Sequence, residues 1–62
     1  MDNTKIRIAR EKIRAYQLQY PEANRVEVKD ASDNLVGYRL THFGAVIAEA
    51  YWDADNMFVF GD

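Results

Sequence analysis

"YPEANRVEVK", residues 20–29, is where the chain changes its period. Upstream of Pro21 the apolar residues Ile6, Ala9, Ile13, Tyr16 and Tyr20 fall three or four apart, which places them on one face of a helix. Downstream, Val26 and Val28 alternate with Arg25, Glu27 and Lys29, the period of two that marks a half-buried strand. Pro21 separates the two regimes, because its ring disfavours helical geometry at Tyr20. The spacing therefore predicts a helix over 4–20, with Asn3 or Thr4 as the cap that accepts a hydrogen bond from a free N–H of the first turn.

Three more β-rich runs follow, "LVGYRLTHF", "AVIAEAYW" and "MFVF", separated by "DASDN", "HFG" and "DADN". The Asp, Asn, Ser and Gly of those separators suit tight turns. Strands are predicted at about 25–30, 35–42, 45–52 and 57–60. Only antiparallel joints fit, since a parallel crossover takes about a dozen residues or more. The expectation is an α+β fold in one small domain spanning 1–62: a single N-terminal helix packed on a four-stranded antiparallel meander sheet, α-β-β-β-β.

Alternation assigns the faces of that sheet. Val26, Val28, Val36, Tyr38, Leu40, Val46, Ala48, Ala50 and Trp52 are expected beneath the helix, with Phe58 and Phe60 filling the edge. The small Ala48 and Ala50 would let the helix come close. Leu35, Ile47, Tyr51, Met57 and Val59 then point away, leaving an apolar, aromatic stripe on the uncovered face. Gly44 reads as the positive-φ residue of a hairpin turn and Gly37 as a bulged point in its strand.

A chain of 62 residues buries only about 60% of its extended surface, so its core is marginal. Disulfides are excluded by the absence of cysteine, and a single histidine argues against a structural metal. Association, with itself or with a partner, is the remaining way to add stability. "MDNTKIRIAREK" contains no signal-like apolar run, and no stretch approaches the roughly 20 apolar residues of a membrane span, so a cytoplasmic protein without a membrane is expected. Chains of this size are common among phage and mobile-element accessory proteins, which adds an expectation of an inhibitor of host machinery.

The net charge of −2 hides a division along the chain. Up to Pro21 five bases oppose two acids, and from Glu22 onward three bases oppose eight acids. Arg7, Arg10 and Arg14 share one flank of the helix, with Lys5 and Lys12 on the other. Such a row can lie along nucleic-acid phosphates, so a nucleic-acid binder using Arg7, Arg10 and Arg14 is the alternative reading. Lys5 and Arg7 also oppose the positive end of the helix dipole.

Catalytic and metal chemistry find little support. Asp53-x-Asp55 resembles the opening of a calcium loop, but Met57 and Phe58 stand where further oxygen ligands and a glycine are needed. "DADN" therefore reads as turn chemistry, and neither metal nor cofactor is expected. His42 reads as a solvent-facing turn residue, and with Ser32 and Thr41 it makes no nucleophile–base arrangement, so no enzyme is expected. Gly37, Gly44 and Gly61 form no phosphate-binding pattern. Ile8, Ala15 and Leu18 add a second apolar surface behind the helix. The expected function is a non-catalytic protein-binding module, a small regulator or inhibitor. Glu49, Tyr51, Asp53, Asp55 and Met57 would meet a basic partner surface, with Tyr51 as the anchor. A homodimer is the third expectation.

Overall fold

A computed structural model describes residues 3–61. Helix α1 spans Asn3–Gln19, and strands β1 (Asn24–Lys29), β2 (Leu35–His42), β3 (Ala45–Asp53) and β4 (Asn56–Gly61) follow. The strands pair antiparallel in the order β1-β2-β3-β4, so the chain is an α+β meander with an open sheet. Asn3 already belongs to α1, and the residues before it lie outside those described. The helix ends as its sequence requires. Tyr20 N–H donates to the Tyr16 carbonyl at 3.1 Å, and the Gln17 side-chain amide donates to the Tyr20 and Ala23 carbonyls at 3.0 and 2.9 Å. Those last two bonds carry the chain around Pro21 and into β1.

The core lies between α1 and the two central strands. Ile13 and Leu40 are its largest fully buried side chains, and Ala9, Ala48 and Ala50 are fully buried with them. Small residues on both layers bring helix and sheet together, and burying a side chain such as Ile13 contributes about 1.5–3 kcal/mol. Ile6, Tyr16, Tyr20, Leu35, Ile47, Trp52 and Met57 pack around this centre. The helix rests on β2 and β3, touches β4 less, and leaves β1 largely uncovered.

That position of the helix corrects two of the expected faces. In β1 the register pairs Glu27 with Tyr38 and Val26 with Arg39, so Arg25 and Glu27 are on the helix side of the sheet. Val26 and Val28, expected in the core, lie on the open face. The strand's apolar side followed the larger apolar patch, because no helix covers its other side. In β4 the two-residue loop Ala54–Asp55 makes Asp53 pair with Asn56 and Trp52 with Met57. Directly paired residues share a face, so Met57 and Val59 are on the helix side and Phe58 and Phe60 on the open side, the reverse of the expectation.

Two register shifts interrupt the sheet. The one in the central pair, between Leu40 and Thr41, leaves Ile47 as an extra residue in β3 that packs against the core, while Val46, expected beneath the helix, is 48% exposed. The other, opposite Val28 and Lys29, leaves Val36 as an extra residue in β2, buried but outside the cluster beneath the helix. Gly37 follows it and pairs with both Val28 and Tyr51. A β-carbon at Gly37 would lie 2.7 Å from that of Tyr51, so Tyr51 itself occupies the space that the missing side chain leaves. The β2–β3 turn holds Phe43 at φ 52° and Gly44 at φ 79°, both left-handed as a two-residue hairpin turn of type I′ requires. His42 is half-buried instead of solvent-facing, its ring 4.4 Å from that of Phe43 and 6.1 Å from that of Tyr20. In the β1–β2 turn the Asp30 carboxylate accepts from the N–H groups of Ser32 and Asn34, each at 2.9 Å, and its pKa is lowered chiefly by the Asn34 bond.

Candidate protein-binding surface

Two cross-strand rows form the open face. One runs Val28, Gly37, Tyr51, Phe58 and the other Val26, Arg39, Glu49, Phe60. The Tyr51 and Phe58 rings stack at 5.4 Å with 21° between their planes. Val26, Phe58 and Phe60 are exposed to 42%, 44% and 52%, so the aromatic stripe reaches water along much of its length. In its midst Arg39 Nε and Nη2 donate to the two Glu49 carboxylate oxygens at 3.2 and 3.4 Å. This fork-to-fork contact neutralises Glu49, whose side chain is only 13% exposed.

The five residues expected to meet a partner are thus divided. Glu49 and Tyr51 share the open face, with Asp53 at the end of the same strand and exposed. Glu49 is already paired within the chain. Met57 lies on the helix side, half-buried against the core. Asp55 is drawn to the helix, its carboxylate accepting from Lys5 Nζ at 2.9 Å. The same ammonium reaches the Ala54 carbonyl at 3.3 Å and lies 5.0 Å over the Trp52 ring, while Trp52 Nε1–H donates to the Lys5 carbonyl at 2.9 Å. Lys5, unfavourable toward the helix dipole, is accommodated by these contacts with the last hairpin.

Lys5 also holds the Asp55 carboxyl below its ordinary value of 3.8, through the hydrogen bond first and its charge second. A carboxyl with a lowered folded-state pKa stabilises the fold at pH above 3.8, and that stabilisation is lost as pH falls below this value through the folded-state one. Asp55→Asn should therefore lower the melting temperature slightly at pH 7 and converge with the parent chain toward pH 2. Melting curves recorded across that range check this, and an undiminished difference at the acid end would contradict it.

The two edges of the sheet differ in kind. β1, "NRVEVK", carries Arg25, Glu27 and Lys29, the charges that discourage another strand from pairing. β4, "NMFVFG", carries no charge, proline or bulge, and Phe58, Val59 and Phe60 are each between 41% and 52% exposed. On the helix side β4 borders a groove of about 760 Å³, where Ile8, Ala15, Tyr16 and Val59 form the apolar lining and Arg7 and Lys12 the basic one. Part of the apolar surface expected behind the helix, Ile8 and Ala15, therefore adjoins this edge, whereas Leu18 stands apart at 76% exposure.

Of the basic helix residues, Arg10 and Arg14 line a second groove against β1, while Arg7 lines the groove toward β4. On the helix the three arginines keep the i, i+3, i+7 spacing of a single flank. Among the described residues no three His, Asp or Glu side chains gather as metal ligands would, and no helix is long and apolar enough to cross a membrane. The β4 edge is not legible in "MFVF", which has no alternation from which a face can be taken. The signal was the contrast in charge between the first and last strands. Comparison with protein-family models, curated proteins and solved structures returns no match for this chain.

Proposed function

We propose that the chain is a non-catalytic protein-binding module, a small regulator or inhibitor that acts by occupying a partner's surface. The uncharged, half-exposed edge strand β4 carries this reading. Natural sheets protect their edges with charge, proline, bulges or a covering element, and β1 is protected in that way while β4 is not. A partner strand added along β4 would gain main-chain hydrogen bonds, and its alternate side chains would meet Phe58 and Phe60 on one face and Val59 on the other. Tyr51, stacked on Phe58, extends the contact across the open face. The reading moves the contact away from Asp55 and Met57, and it keeps Tyr51 and Asp53.

The test is quantitative capture by the tagged chain from cell extract that also contains an untagged copy, so that self-association is recovered too. Phe58→Lys with Phe60→Lys should keep the melting transition, since both side chains are about half exposed, and should reduce the recovered partner about tenfold or more. Ala31→Lys, in the β1–β2 turn, should recover as much as the parent. Equal recovery by all three chains would remove the proposal.

A further inference from the structure

We propose that the groove between α1 and β1 binds a small phosphorylated ligand, with its phosphate oxygens held by Arg10, Arg14 and Arg25. The groove encloses about 400 Å³ and is lined by these three arginines with Glu11, Ile13 and Gln17, a volume within the range of small-molecule sites. It exists because the helix stops short of β1. Arg10 and Arg14 stand one turn apart on the helix flank, and Arg25 enters from the strand, on the helix side of the sheet through its pairing with Leu40.

Several features make the groove more than a solvated basic face. Its floor residue Ile13 is fully buried. Gln17 is fixed, because its amide N–H donors are spent on the Tyr20 and Ala23 carbonyls. Arg25 is steadied by its guanidinium lying 5.0 Å over the Tyr38 ring, a contact that leaves its N–H donors unspent. Among the described residues none of the three arginines forms a hydrogen bond or ion pair. The carboxylates at hand are Glu11 in the lining and Glu27, two positions from Arg25 on the same side of β1. With three cations and one anion in its lining, the groove is positive in a chain whose net charge is −2.

That surplus selects the ligand. A monocarboxylate would leave cationic charge unmatched, whereas a phosphate group offers two charges and several acceptors to planar guanidinium forks. A long polyanion fits less well. The chain from Glu22 onward carries eight acids against three bases, so beyond the helix flank and Arg25 a long polyanion would run onto acidic surface. The site does not involve β4 and stands apart from the protein-binding surface.

Calorimetric titration of the full chain with inorganic pyrophosphate tests the proposal, with acetate as the carboxylate control. One saturable site is expected for pyrophosphate and none for acetate. Arg14→Gln and Arg25→Gln should each weaken it about tenfold or more, while Arg7→Gln, which removes the same charge outside the groove, should change it less than about twofold. Arg14 and Arg25 are exposed, so these variants keep the fold. Absence of binding, equal binding of acetate, or equal loss in Arg7→Gln would overturn the proposal. Preferential binding of random duplex DNA, weakened as much by Arg7→Gln as by Arg25→Gln, would overturn it in favour of nucleic acid.

Discussion

Gly37→Ala is expected to abolish the cooperative melting transition. The added methyl would sit 2.1 Å from the Ala50 carbonyl oxygen and 2.5 Å from the Tyr51 α-carbon. Both atoms belong to the backbone of β3, so no rotamer change removes the clash. β2 and β3 would have to part at the centre of the sheet, where both strands also carry the core through Leu40, Ala48 and Ala50. Such overpacking costs about 3 kcal/mol, and a single-core chain of this size has about 3–5 kcal/mol in total. Gly44→Ala is the matched comparison. Nothing lies within 4 Å of its added methyl, and only the left-handed backbone at φ +79° is strained, at about 1 kcal/mol. Circular dichroism melts should show a lowered transition for Gly44→Ala and none for Gly37→Ala. Similar curves for the two would show that the central strands give way more easily than their packing implies.

Ile13→Ala should be nearly as severe. Ile13 is fully exposed to the core and closed to solvent, and with Leu40 it supplies the largest buried side chains. Truncation removes its transfer free energy and leaves a cavity that Ala9, Ala48 and Ala50 are too small to fill, at about 2–5 kcal/mol. Ile8→Ala makes the same chemical change on the same helix at a residue 38% exposed, and should cost less than about 1 kcal/mol. Urea denaturation measures both. A large displacement of the midpoint is expected for Ile13→Ala and a small one for Ile8→Ala, and equal displacements would mean that the helix does not pack through this face.

The elements were legible because each is signalled locally. Helical spacing, Pro21 and the turn residues fixed the order of helix and strands without reference to any long-range contact. β3 was legible from Ala48 to Trp52, since Ala48 and Ala50 are small and Glu49 and Tyr51 between them are not suited to the core. The register shift at Ile47 turned Val46, expected beneath the helix, toward solvent and packed Ile47 against the core. β1 was not. Its alternation distinguishes an apolar side from a charged one, but which side meets the helix depends on where the helix lies, and a helix resting on β2 and β3 leaves Val26 and Val28 to the open face. For β4 the information was present in the loop length: two residues between Asp53 and Asn56 oblige Met57 to share a face with Trp52.

The candidate surfaces were less legible for a related reason. Arg39 and Glu49 lie ten residues apart and meet only once β2 and β3 are in register. Arg25 joins Arg10 and Arg14 only because β1 turns its charged side toward the helix. Phe43 is a different case, a 92% exposed aromatic held at positive φ, where asparagine or glycine would be unstrained. Its ring contact with His42 at 4.4 Å leaves it almost wholly in solvent.

The central claim is that a partner pairs with β4, and amide hydrogen exchange on the captured complex tests it most directly. The backbone amides of residues 57–61 should exchange about tenfold or more slowly in the complex than in the free chain, while those of β1 should not change. Protection of β1 or α1 with no slowing in β4 would contradict it.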